Sequence, residues 1–248
     1  MGVEAGSDAE GLRLHCEIVG QGDLLLLLHG FTGAGADWQH VFTEPLVGWR
    51  TIIPDLRGHG RTPNPSNAFT HRQSAADVLG LLDRLNLPSI KAIGMSAGAK
   101  TLLHMAIQQP GRIEAMVLVS ATPAFPAEAR ALMAKFSTGS LSDDEWRAMR
   151  QRHVQGDRQI QALLEQGRAF AESYDDMNLT REDLGRISAR TLIVHGDRDP
   201  FYPVQMAVDL YNGIPHSTLW VIPGGAHVPI FGELRAPFVA TALEFLKA

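Results

Sequence analysis

Apolar runs of strand length alternate along this chain with segments of helical period, and that alternation limits the folds open to it more than any other feature. The runs are LRLHCEIV, LLLLLH, TIIPDL, SIKAIGM, EAMVLVS, RTLIVHG and STLWVIP. Between them lie ADWQHVFTEPL, THRQSAADVLGLLDRLNL, AGAKTLLHMAIQQ, VQMAVDLYN and ELRAPFVATALEFLK, each with apolar residues spaced for one face of a helix. A strand, a crossover helix and a second strand return in parallel, so the chain reads as α/β: a mostly parallel central sheet with helices on both faces. The last five runs are continuous and rich in β-branched residues, as expected of strands covered on both faces. Ligands of such sheets meet the carboxyl ends of the strands, which directs attention to the residues just after each run.

The alternation breaks once. Between Ser120 and Arg190 about 65 residues keep a helical period with no strand-like run, far longer than an ordinary connection. The expected organisation is a core of residues 1–123 and 189–248 with a helical cap, 124–188, inserted over the strand ends. The cap carries Phe125, Leu132, Met133, Phe136, Trp146, Met149, Phe170, Tyr174 and Met177, more large apolar side chains than a solvent-facing connection needs. Most of them are expected to pack the cap onto the core, and the remainder to line an apolar pocket suited to acyl or aromatic groups. A chain of 248 residues, 45% hydrophobic and 20% charged, can bury one core of this kind.

Charge and cysteine content remove other classes. The net charge is -5, and no block of lysine and arginine appears, so the basic footprint of a nucleic-acid binder is missing. Apolar stretches run to five residues, as in Leu24 to Leu28, against the roughly 20 of a membrane-spanning helix. The opening MGVEAGSDAEG has neither the basic nor the apolar region of an export signal. A soluble cytoplasmic protein, monomer or homodimer, with no nucleic-acid or membrane partner is the expectation. The single cysteine, Cys16, excludes an internal disulfide, and its place in an alternating run reads as a buried strand position.

The first strand-end feature with chemistry is GMSAG, Gly94 to Gly98, between SIKAI and a helical segment. From the chain's own glycine and serine content such a string arises by chance about 0.1 times, so the context decides its meaning. A serine at a tight strand-to-helix turn needs small residues two before and two after it, and here they stand. The plain alternative is Ser96 as a helix N-cap. A serine hydroxyl is a weak nucleophile unless a base takes its proton, and that base must be oriented in turn. GDRDP follows RTLIVH with Asp197 and Asp199, and GGAH follows STLWVIP with His227, all at the strand ends that Ser96 shares. Spacing alone leaves both aspartates open.

Taken together, LLLLHGF (His29, Gly30, Phe31), DLRGHGRT (Asp55 to Thr62), GMSAG, HGDRDPFYP (His195 to Pro203) and GGAHVP closely resemble the α/β-hydrolase family along nearly the whole chain. The resemblance implies Ser96 as nucleophile, His227 as general base and Asp199 as its orienting acid. It also implies an oxyanion hole from the amides of Phe31 and Ala97. It marks DLRGHG as a structural loop in which Asp55 and Arg57 make hydrogen bonds and His59 is scaffold. Expected substrate contacts are Gly30 and Met95 beside the serine and Phe125, Met133, Phe136 and Trp146 from the cap.

Other readings are weaker. GAGADW follows a strand and Asp55 lies 20 residues after Gly35, as in a dinucleotide fingerprint, but bulky Trp38 stands where the third glycine must be small. His59, His71, His153 and His216 are scattered, with no metal-binding spacing. No cofactor or metal is expected. The expected activity is hydrolysis of small to medium carboxylic esters through an acyl-enzyme. A lactonase, a carbon-carbon bond hydrolase or a perhydrolase would share the machinery, and a non-enzymatic small-molecule sensor could share the fold. Within the resemblance, epoxide hydrolases carry aspartate where Ser96 stands. Carbon-carbon hydrolases tend to an asparagine-bearing elbow and a glycine-proline oxyanion loop, both absent here.

Overall fold

The computed structural model describes residues 2–5 and 12–247; the first and last residues of the expected core, together with 6–11, lie outside it. Among the described residues eight strands form one sheet: β1 (Gly2–Ala5), β2 (Leu14–Gly20), β3 (Asp23–Leu28), β4 (Trp49–Pro54), β5 (Ile90–Met95), β6 (Ile113–Val119), β7 (Arg190–Gly196) and β8 (Ser217–Ile222). Their spatial order is β1-β2-β4-β3-β5-β6-β7-β8. β2 is antiparallel to β1 and β4, and every later pairing is parallel. The helices around the sheet are α1 (His71–Arg84), α2 (Ala97–Gln108), α7 (Val204–Gly213) and α8 (Arg235–Lys247).

The leucine run shows how the sheet is covered twice. Strand alternation sends Leu26 and Leu28 into the core shared with α1, α2 and α7, and Leu25 and Leu27 into the core with Trp38 and with Phe238, Ala242 and Leu246 of α8. All four are buried. Each such side chain contributes about 1.5–3 kcal/mol by leaving water. Cys16 is buried on β2, and burial pushes its thiol well above the usual range.

Two expectations fail for local reasons. Of the five runs expected to be covered on both faces, STLWVIP becomes β8, a sheet edge whose one fully buried residue is Ile222. ADWQHVFTEPL is not an α-helix but a six-residue 3-10 turn, Gly35–His40. Pro45 disfavours helix at Glu44 and cannot itself donate to one. The turn is pinned at its start, where Gly35 N donates to Asp55 Oδ1 at 2.7 Å and Ala34 N to Asp37 Oδ2 at 3.1 Å. The 20-residue separation of Gly35 and Asp55 is therefore a hydrogen bond inside the fold.

Between β6 and β7 the chain is helical: α3 (Ala127–Met133), α4 (Asp143–Arg152), α5 (Asp157–Ala169) and α6 (Arg181–Gly185). Ser142 and Glu145 form a capping box at α4, and Thr180 and Asp183 one at α6. The two ends of the segment meet, through a bridge between Ala124 and Asn178 and a bond from Leu179 N to Pro123 O. Among the described residues no helix is long and apolar enough to cross a membrane.

Candidate active site

β5 ends one residue before Ser96, and α2 begins one residue after it. Ser96 has φ 50° and ψ -108°, a left-handed conformation that a non-glycine residue adopts at a cost of roughly 1–3 kcal/mol. The flanking glycines make this turn possible. A Cβ on Gly98 would stand 2.3 Å from Leu28 O, and one on Gly94 would stand 2.6 Å from the Gly98 carbonyl carbon. The strand end and the helix start can touch only where neither carries a side chain.

The other two expected residues reach Ser96 on loops held together below them. Gly196, ending β7, lies so close to the β8 loop that a Cβ would stand 2.2 Å from Gly225 O, and Arg198 N donates to Gly225 O at 2.8 Å. Val228 N, just after His227, donates to Ser120 Oγ at 2.9 Å. Ser96 Oγ–H donates to His227 Nε2 at 2.9 Å, and His227 Nδ1–H donates to Asp199 Oδ2 at 2.7 Å. The other carboxylate oxygen of Asp199 accepts from Phe201 N at 2.8 Å and Tyr202 N at 3.1 Å. Burial pushes the Asp199 carboxyl up, but the hydrogen bond and charge of His227 and the two amides outweigh it and hold it below the usual range. Asp197 takes no part: its carboxylate, a third exposed, lies 4.0 Å from Arg198 Nε.

The loop after β3 approaches from the other side. Gly30 packs against Ser96, a Cβ there falling 3.6 Å from Ser96 Cβ. The Phe31 amide meets no acceptor among the described residues, and Ala97 opens α2, where first-turn amides have no intrahelical partner. Three buried histidines hold this loop. His29 Nε2 accepts from Leu56 N at 3.0 Å, so its Nδ1–H donates to Gly30 O at 2.8 Å. His59 Nε2 accepts from Thr32 N at 3.2 Å while its Nδ1–H donates to Arg57 O. His153, at the end of α4, accepts from Gly60 N at Nδ1 and donates from Nε2 to Thr32 O, both at 3.0 Å. Asp55 and Arg57 hold the DLRGHG loop from within, Asp55 accepting from Arg61 N and Arg57 making a two-pronged pair with Asp77 at 2.7 and 2.9 Å.

Ser96 and His227 open on a cavity of about 250 Å3. Its walls include Gly30, Phe31, Met133 and Phe136, together with Phe170, Phe201 and Val228. Three expected contacts are elsewhere. Met95 points to the opposite side of the sheet, into the core with Leu25 and Leu27, because it neighbours Ser96 on an alternating strand. Phe125 stands behind the wall, its ring 5.7 Å from Phe170 and 5.8 Å from His71. Trp146 belongs to a separate cluster with Met149, Ile160 and Leu164, with the Arg150 guanidinium over its ring. Lys100, His71 and Tyr202 also line the cavity and were not expected. Lys100 had a signal, four residues after Ser96 on one helix face; His71 had none. A cleft of about 290 Å3 beside His15, Asp55 and Arg152 holds no serine or cysteine.

This chain belongs to the α/β-hydrolase family: the model described as alpha/beta hydrolase fold matches residues 23–140 and 123–234. Epoxide hydrolase 3 of Siraitia grosvenorii is 34% identical over 116 residues, 46% of this chain and 37% of that protein, so the chain spans little more than a third of that relative. The 2-hydroxymuconate semialdehyde hydrolase of Pseudomonas sp. (strain CF600) is 28% identical over 272 residues, 96% of this chain and 92% of that one. Among solved structures, the esterase EaEST of Exiguobacterium antarcticum covers 100% of both chains with a TM-score of 0.82 at 19% identity, a likeness that shows the fold.

Proposed function

We propose that this protein is a cofactor-free serine hydrolase that cleaves small to medium carboxylic esters through an acyl-enzyme. The observation that carries the reading is the unbroken chain of hydrogen bonds from Ser96 through His227 to Asp199, opening on a mainly apolar cavity. In this reading Ser96 Oγ attacks the ester carbonyl carbon while His227 Nε2 takes the hydroxyl proton. Asp199 keeps the imidazole in the tautomer whose Nε2 is free and offsets the charge it acquires. The carbonyl oxygen becomes an oxyanion facing the amides of Phe31 and Ala97, donors typically worth about 10²- to 10³-fold each in rate. The carbon-oxygen bond then breaks, and the leaving alkoxide takes the proton from His227. A water, losing its proton to the same nitrogen, attacks the acyl carbon and releases the acid and Ser96.

A second reading, carbon-carbon bond hydrolysis with the same residues, is favoured by the relative named 2-hydroxymuconate semialdehyde hydrolase, which aligns over nearly the whole chain. The epoxide hydrolases align over less than half of it, and Ser96 is not the aspartate their chemistry uses in the family. A panel of p-nitrophenyl esters from acetate to long acyl chains, run beside lactones and a ring-cleavage dienoate, tests the proposal. Ester turnover that vanishes in Ser96→Ala supports it. Faster cleavage of the dienoate than of any ester favours the second reading. Failure to turn over any of them, with tight saturable binding, points instead to a sensor.

A further inference from the structure

The cavity at Ser96 is not apolar throughout. Lys100 and His71 form part of its wall, and their side chains are 3% and 0% exposed. Lys100 stands four residues beyond Ser96 on α2, one helical turn along the same face. Its Nζ donates to Tyr202 Oη at 2.7 Å and lies 5.2 Å from the Phe125 ring centre and 4.9 Å from that of Tyr202. An ammonium has three protons to donate. The phenol takes one, and among the described residues no carboxylate stands within ion-pairing distance of Nζ. Burial pulls the lysine down to about 7, against the attraction of Asp176 and Asp199.

His71 presents the complementary feature. Its Nδ1–H donates to Asp176 Oδ2 at 2.5 Å, and Asp176 also accepts from the His71 and Arg72 amides. That bond leaves the lone pair on Nε2, a buried atom with no partner. An unpartnered buried polar group costs of order 1–3 kcal/mol, and His71 Nε2, together with the two Lys100 protons that the phenol does not take, defines a site for a polar group brought by a ligand.

A carboxylate fits these two groups. Burial brings the His71 ring down to about 4, so a carboxylate binds with one proton taken up from solvent: one oxygen accepts from the Lys100 ammonium, and the other shares that proton with His71 Nε2, across the ring from Asp176. A neutral alkyl chain would leave His71 Nε2 without a partner and Lys100 with the Tyr202 bond alone. We propose that Lys100 and His71 form a carboxylate subsite, so that the preferred esters carry a free carboxylate a few bonds from the scissile carbonyl, as half-esters of short dicarboxylic acids do. This deepens the ester-hydrolase reading and rests on it.

Two experiments separate the subsite from that reading. The first compares kcat/KM for mono-p-nitrophenyl glutarate with p-nitrophenyl valerate, and for 4-acetoxybenzoate with phenyl acetate, placing the carboxylate on the acyl side and on the leaving group in turn. At least one charged ester is expected to be preferred about 10- to 100-fold, the range of a charge-assisted hydrogen bond, and Lys100→Met to remove that preference. His71→Asn, which keeps a donor for Asp176 and deletes Nε2, is expected to reduce it and serves if Lys100→Met does not fold. The second experiment needs no turnover: monomethyl glutarate should raise the melting temperature of Ser96→Ala saturably, and methyl valerate should not. Equal handling of charged and neutral esters, or a charge preference indifferent to both variants, overturns the subsite. No ester turnover with the melting shift intact overturns the hydrolase reading and leaves the subsite standing.

Discussion

His153 Nε2 donates to the carbonyl of Thr32 at 3.0 Å, joining the end of α4 to the loop that carries the Phe31 amide, 121 residues earlier in the chain. The same ring accepts from Gly60 N, so one buried side chain ties the helical segment to the Phe31 loop and to the DLRGHG loop. Replacing it with phenylalanine keeps the ring and removes both bonds. His153→Phe is expected to lower stability by about 1–3 kcal/mol, the penalty of two buried groups left without partners. Because Thr32 follows Phe31, kcat for an ester should fall about tenfold or more while KM changes little. Urea denaturation and steady-state kinetics check the pair of effects, and a variant that changes KM alone would count against the link to Phe31.

The histidines around that loop give the protein a pH dependence of defined sign. His29, His59 and His153 each accept an amide proton, which requires a neutral ring. Burial holds His29 and His59 below the usual histidine range and brings His153 to about 4. In the unfolded chain the same rings protonate near 6.5, so below that pH the unfolded state binds more protons and stability rises with pH, for His153 over the window from 6.5 down to about 4. The His153 contribution is complete above 6.5 and is lost as the pH falls toward 4, by about 1.4 kcal/mol per unit, and His29 and His59 add to it in the same direction. Denaturation at pH 7, 6 and 5 should show this slope, and His153→Phe should make it shallower by about one proton.

Asp199→Asn is expected to leave the fold intact and reduce ester turnover by roughly 10⁴-fold, because an amide at Oδ2 favours the wrong tautomer of His227. Asp197→Asn should have little effect, since that carboxylate does not meet His227. Comparing kcat/KM for the two variants decides between them, and the reverse ranking would overturn the assignment.

Ser96→Ala and His227→Ala should each abolish nearly all ester turnover, and the double variant should be little worse than either, because groups acting as one unit are not additive. An organophosphonate should label the wild-type protein and not Ser96→Ala. Strong labelling of the alanine variant would mean a nucleophile elsewhere.

At the elbow, Gly98→Ala places a methyl group 2.3 Å from the Leu28 carbonyl oxygen, where only backbone could give way. It should destabilise the protein by about 1–3 kcal/mol or more and weaken organophosphonate labelling. An unchanged melting temperature would show that β3 and α2 can separate more easily than their packing implies.

The strands were legible in the sequence because their side chains alternate, and the two faces of Leu25 to Leu28 divide between two cores as that period requires. Seven of the eight strands, the helices α1, α2, α7 and α8, and the helical stretch between β6 and β7 could be read from local pattern. So could Ser96, His227 and the pair of aspartates, since each follows a strand and strand ends in a parallel sheet share one side. Whether Asp197 or Asp199 turns toward His227 was not local information; it depends on the Phe201 and Tyr202 amides that hold one carboxylate oxygen and leave the other for the ring. The cavity wall was still less legible. Phe136 and Trp146 look alike as apolar residues of the same segment, yet one meets the cavity and the other packs between α4 and α5. Likewise His71 and Asp176, 105 residues apart, become partners only once α1 lies beside the chain leading to α6. Periodicity specifies which face of an element is buried, but which residues surround a given side chain is decided by how distant elements pack, and that is where the polar end of this cavity comes from.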